Sequence, residues 1–248
     1  MEYQDIIKKL ESLANPKNVE GMARFGIRPK TRVLGIPIPE LRKIAKDIKK
    51  TARLPMSRGL ALELWDSGIH EARILAGIIA NAEELTEKQI DKWVKGFDSW
   101  DVVDQVCMNL FDKSKIAVNK ISEFARRESE FEKRTAFALM AALAFHNKEM
   151  PDEKFLKFFS IIKKASTDER NFVKKAVNWA LRQIGKRNKN LNKEAIKLAR
   201  EILQLSKKVY PHTKVSAETY GVGARWIAND AIRELESDKI QKKLKLRN

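Results

Sequence analysis

Trp100 and Asp104 stand four residues apart in the segment Phe97-Asp98-Ser99-Trp100-Asp101-Val102-Val103-Asp104. On a helix that spacing puts an indole and a carboxylate on one face. An electron-rich ring beside a fixed negative charge suits a positively charged group. Asp101 lies off this face in the first turn, where a carboxylate complements the partially positive helix end. In Phe172-Val173-Lys174-Lys175-Ala176-Val177-Asn178-Trp179-Ala180-Leu181-Arg182, the side chains of Lys175, Trp179 and Arg182 share a face at steps of four and three. Cations flanking an indole suit phosphate contacts beside an aromatic surface. Arg134, in Glu132-Lys133-Arg134-Thr135-Ala136, opens a strongly apolar helix face and so is expected near an interior wall. Spacing alone favours a plainer account, with the tryptophans in the core, Asp104 solvated or capping, and basic side chains laid over apolar surface.

Other chemistries find no support in the residues. Walker A and Gly-x-Ser-x-Gly sequences are absent, and Gly221-Val222-Gly223 lacks the third glycine and the preceding strand of a dinucleotide loop. Cys107 is the only cysteine and has no recognisable histidine partner; a buried apolar place on a helix is expected for it. His70, His146 and His212 are scattered and make no metal-binding spacing. Neither a metal nor an organic cofactor is expected.

The elements that must position these side chains are helices. The chain has 248 residues, 43% hydrophobic and 33% charged, enough for a sizeable core without staples. Apolar residues recur at helical spacing between short turns, with no sustained alternation of the kind strands show. Helices are predicted near 3–13, 18–24, 38–50, 55–67, 69–80, 86–96, 99–111, 113–126, 129–146, 152–164, 168–186, 192–206 and 216–236. Thr86, Ser99 and the run Thr167-Asp168-Glu169-Arg170 supply start signals. Paired helices recur at a period of about 35 to 40 residues, as in helical-hairpin repeats. Small residues, as in Leu75-Ala76-Gly77-Ile78-Ile79-Ala80, would let neighbouring helices approach closely. The expected fold is an all-α, HEAT-like solenoid over 1–248 as a single domain, with a concave basic cleft and its least regular segment near 207–223.

Charge points to the partner. Lys and Arg number 50 against 33 Asp and Glu, a formal net charge of +17. Such a surplus attracts a polyanion without saying which reaction follows. Arg42, Lys43, Lys46, Lys49, Lys50 and Arg53 form one basic group, and Arg182, Lys186, Arg187, Lys189, Lys193 and Lys197 another. The longest apolar run, Ala136 to Phe145, is half of what a membrane-spanning helix needs. Without secretory features at Met1-Glu2-Tyr3-Gln4-Asp5, and with a single thiol, the chain is expected in a reducing, cytoplasmic setting, nucleoid-associated if prokaryotic. No obligate protein partner is evident.

Taken in order, these segments resemble the AlkD-type DNA alkylation repair glycosylases, HEAT-like proteins that remove alkylated purines from duplex DNA. The similarity runs from Gly21-Met22-Ala23-Arg24-Phe25 and Gly35-Ile36-Pro37-Ile38-Pro39-Glu40-Leu41-Arg42 through Glu63-Leu64-Trp65-Asp66, the Trp100/Asp104 and Arg134 segments, to Arg182. It implies that Asp104, Trp100 and Trp179 are catalytic residues lining the cleft, that Arg134 lies near the DNA backbone, and that the Phe25 ring packs against DNA, beside the DNA contacts that spacing already suggests for Lys175 and Arg182. Phe25 stands where catalytic members often carry tyrosine, so a phenolic hydroxyl is missing there. The implied activity is monofunctional: hydrolysis of the N-glycosidic bond of positively charged N3- or N7-alkylpurines, without base flipping, as a step of base excision repair. The alternatives are a noncatalytic DNA-binding protein that recognises altered or branched DNA and, third, a HEAT scaffold for protein partners.

Overall fold

The computed structural model describes residues 2–51, 56–207 and 221–246. Arg53 and most of the stretch expected to be irregular, 207–223, lie outside the described residues. Contacts divide the chain into two compact units, Met1–Asn119 and Lys120–Asn248. The first holds α1 (Tyr3–Ser12), α2 (Pro16–Arg24), α3 (Ile38–Thr51), α4 (Met56–Asp66), α5 (His70–Ile79), α6 (Glu87–Lys95), α7 (Trp100–Asn109) and α8 (Lys115–Asn119). The second holds α9 (Ile121–Phe124), α10 (Glu130–His146), α11 (Asp152–Ala165), α12 (Asn171–Gly185), α13 (Lys189–Lys207), α14 (Val222–Leu235) and α15 (Asp238–Lys245). Among the described residues, the β-bridge pairing is one isolated bridge between Arg32 and Ile69. None of the described helices is long and apolar enough to cross a membrane.

In the first unit α5 packs between α3 and α7. A Cβ on Gly77 would lie 2.9 Å from the Val106 Cγ2, so the glycine is what allows α5 and α7 to approach. The apolar centre includes Trp65 stacked on Trp93, with ring centroids 4.3 Å apart and planes within 7°. Glu71, 1% exposed, is a buried carboxylate that must find donors. It accepts hydrogen bonds from the backbone N–H groups of Leu34 (2.9 Å), Gly35 (2.6 Å) and Ile36 (3.3 Å). This fixes the segment between α2 and α3 onto α5. Gly35 adopts φ +80°, and a Cβ there would fall 2.3 Å from the Asn15 carbonyl oxygen, so only glycine fits.

In the second unit α10, α12 and α14 run in the same direction. Arg134 near the start of α10 donates to the Phe172 carbonyl at the start of α12, and Arg187 just past α12 donates to the carbonyls of Ala144 and Asn147 at the end of α10. Along the next seam Asn178 pairs with Asp230 and Arg182 with Glu234, each 52 residues apart. α11 packs against α12 and α13, and α13 against α14, completing successive helical pairs. The run from Arg134 to Ala144 is buried throughout, which is why α10 reads as apolar on every side. Gly185 serves as Gly77 does: its Cβ would meet both Leu235 methyls at 2.8 Å.

Several boundaries depart from the predicted ones. The helix predicted over 113–126 is instead a 3-10 turn at Phe111–Lys113 followed by the short α8 and α9. The helix predicted from 168 begins at Asn171, because the acids before it have other partners. Asp168 holds Lys133 and Arg170, and the Glu169 carboxylate accepts from the Gly223 N–H at 2.9 Å. α15 was not expected.

Candidate nucleic-acid interface

The first unit carries Phe25, Trp100 and Asp104 together. Trp100 opens α7 and is partly exposed, as is Asp104 one turn later. Neither is among the buried residues of the apolar core. The indole N–H of Trp100 donates to the Phe25 carbonyl oxygen at 3.2 Å, tying the end of α2 to the start of α7. The Phe25 ring itself is 75% exposed, far beyond what its apolar area favours in water.

What holds α7 in place lies beneath it. His70, fully buried at the start of α5, pairs through Nε2 with the Asp101 Oδ2 at 2.8 Å. The other Asp101 oxygen accepts the Ser99 hydroxyl. Ser99 therefore does not cap the helix with its side chain, as its position predicted. Burial alone pushes the His70 pKa down, but the Asp101 hydrogen bond and the charges of Asp101, Glu71 and Asp98 leave it raised overall. Burial likewise pushes the Asp101 pKa up, and His70, the Ser99 hydroxyl and its own backbone amide bring it below the usual carboxylate value. Asp98, in the turn before α7, accepts from the backbone N–H groups of Lys30 (3.0 Å) and Thr31 (3.2 Å). Arg73 donates to the Gly96 carbonyl at 3.0 Å and lies over the Trp65 ring. Sequence reasoning missed this network. Its signal was a histidine at the start of a largely apolar helix, which needs a polar partner once buried.

The second unit carries Arg134, Lys175, Trp179 and Arg182. Lys175 is exposed and Trp179 partly so, both on α12. Arg182 shares their helix but reaches across the α12/α14 seam, 2.7 Å from a Glu234 oxygen and 3.3 Å from Asp230. Lys186 reaches the other Glu234 oxygen at 2.9 Å. Burial raises the Glu234 pKa, yet Lys186 and Arg182 hold it below the ordinary value. Arg134 is 5% exposed and bridges α10 and α12 by its hydrogen bond to the Phe172 carbonyl. Trp226 on α14, 41% exposed with the Lys174 ammonium 5.8 Å from its ring centroid, adds an indole that spacing did not single out.

Of the two basic groups, the described members of the first, Arg42, Lys43, Lys46, Lys49 and Lys50, are all exposed on α3. The second is mixed. Lys189, Lys193 and Lys197 are exposed, whereas Arg182 and Lys186 serve the α12/α14 seam and Arg187 packs 4.2 Å over the Phe155 ring. Cys107 is buried, as expected. Among the described residues no group of three or more His, Cys, Asp or Glu side chains could hold a metal ion.

Comparison with known proteins bears on the fold and the family. An uncharacterized protein of Listeria innocua is 21% identical over 201 residues, covering 81% of this chain and 86% of that protein. A solved structure described as a new family of proteins related to the HEAT-like repeat DNA glycosylases, with affinity for branched DNA structures, superposes with a TM-score of 0.72 at 20% identity. The match covers 94% of this chain and 95% of that one, so the fold is the expected all-α, HEAT-like repeat. Residues 6–235 match the family described as DNA alkylation repair enzyme. The chain belongs to the DNA alkylation repair enzyme family.

Proposed function

We propose that this protein binds double-stranded DNA and hydrolyses the N-glycosidic bond of purines carrying a positive charge from N3- or N7-alkylation. The observation that carries the reading is the pairing of Trp100 and Asp104 outside the core, on a helix whose first turn is anchored by His70 and Asp101. A cationic purine leaves as a neutral base, so no residue has to protonate it. The deoxyribose left behind moves toward an oxocarbenium ion, which the Asp104 carboxylate stabilises while orienting water. Trp100, its N–H held by the Phe25 carbonyl, offers its ring face to the same positive charge. In the second unit Trp179 offers an indole on the same helix as Lys175, which contacts phosphate. Arg134 and Arg182 act through the helices they join, Arg134 by fixing the start of α12 and Arg182 by holding α12 to α14.

The test is direct: incubate the purified protein with methylated duplex DNA and analyse the bases released. Free 7-methylguanine or 3-methyladenine, with abasic sites left in an unbroken strand, supports the proposal; methylated duplex recovered intact defeats it. A second reading, noncatalytic recognition of altered or branched DNA, is favoured by Phe25 in the tyrosine position and by the affinity for branched DNA of the related solved protein. Tight binding to a branched duplex with no base release would select it.

A further inference from the structure

A cleft of about 570 Å³ opens in the second unit at the carboxyl ends of α10 and α12, within the size range of small-molecule sites. Its lining includes Phe145, Lys148, Gln183, Lys186, Arg187 and Lys243. No acidic side chain is among the residues that line it. Phe145 is the last residue but one of α10 and 54% exposed, although the helix before it is buried. Its ring is dressed for recognition: the Lys148 ammonium lies 5.6 Å from the centroid, and the His146 ring meets it edge-on. Helix carboxyl ends repel anions, but here Arg187 covers that end, donating to the carbonyls of Ala144 (3.1 Å), Asn147 (2.7 Å) and Met150 (3.1 Å). What remains facing the cleft is the exposed Phe145 ring with the Lys148 ammonium beside it, and Lys243 on the same lining.

We propose that this cleft seats one unpaired nucleotide of a DNA strand, its base stacked on Phe145 and its flanking phosphates held by Lys148 and Lys243. The proposal rests on the DNA-binding reading above and goes beyond it by naming where a strand that has left the duplex is held. A ring face is of no use to a base already stacked in a duplex, whereas every unpaired base can use one. The site also continues the α12 surface. Gln183 follows Trp179 by one turn, about 6 Å along the helix, so a strand lying past Lys175 and Trp179 runs directly into the cleft.

The experiment uses the full chain with two fluorescent oligonucleotides: a fully paired duplex, and the same duplex bearing a short single-stranded flap that contains 2-aminopurine. Phe145→Leu should weaken binding to the flap by about 10-fold, abolish quenching of the flap fluorophore and leave duplex binding unchanged. Lys243→Gln, on an exposed helix, should lower the salt slope for the flap by about 0.7 and leave the duplex slope as it was. Wild-type-like flap binding by both variants, equal losses on flap and duplex, or stronger competition by polyglutamate than by single-stranded DNA would each overturn the proposal. Failure of the wild-type protein to bind either oligonucleotide would instead sink the DNA-binding reading itself.

Discussion

Replacing the Asp104 carboxylate by its amide keeps shape and removes charge, so it separates catalysis from binding. Asp104→Asn should lower single-turnover release of 7-methylguanine by about 100- to 1,000-fold while leaving duplex affinity nearly unchanged. An unaltered rate would take Asp104 out of the reaction. His70 makes a different prediction, because it acts on the helix that carries Asp104. Its pKa is raised, so its contribution to stability is complete below the ordinary imidazole value of 6.5 and fades as pH climbs past the raised one. The Asp101 pKa is lowered, so its contribution holds above 3.8 and is lost only as pH falls through the lowered value. His70→Gln should therefore cost about 3 kcal/mol at about pH 6 and clearly less at about pH 9, as read from urea unfolding. An equal cost at both values would mean that the pair carries no charge-dependent stability. At this scale the sequence showed which types share a face, whereas spacing alone favoured core positions for Trp100 and Trp179, which are partly exposed. It could not show that Arg134 would be buried against a backbone carbonyl or that Arg182 would face Glu234, since periodicity does not say which neighbour a face will meet.

At the scale of elements, close helix approach depends on two glycines. Gly77→Val forces a branched side chain against Val106 and should destabilise the protein by about 2 kcal/mol, seen as a lower urea midpoint at an unchanged slope. Because α7 lies on the other side of that contact, base release should fall as well, even under conditions where the variant is folded. Full activity would mean that α7 tolerates displacement. Most helices were legible to within a few residues because their apolar stripes are long. Where the reading failed, a tertiary contact had taken over a local signal. Thr86 caps α6 as its type predicts, accepting from the Gln89 N–H at 3.2 Å, but the Ser99 hydroxyl is diverted to Asp101. The start of α13 was placed late because the cap is Asn188, whose side chain accepts from the Leu191 N–H at 2.8 Å.

For the whole molecule, the net charge of +17 sets an expectation in salt. The logarithm of duplex affinity should fall linearly with the logarithm of salt concentration, by about 0.9 for each phosphate neutralised. Lys175→Ala should reduce that slope by about 0.9, whereas Arg182→Ala, whose guanidinium already serves Asp230 and Glu234, should change it far less and lower the melting temperature instead. Equal slopes for wild type and Lys175→Ala would leave Lys175 without a phosphate. The repeat architecture was readable because each helical hairpin repeats one physical solution, an apolar seam closed by small residues. In the second unit that solution has a mechanical side. Each of α10, α12 and α14 is fastened mainly to the neighbour before and after it, by rungs such as Arg134 on Phe172 and Arg182 on Glu234. Stretched from its termini, such a stack has no single latch to break: it should lengthen in a series of small yields, one hairpin at a time, and wind back rung by rung when the load is released.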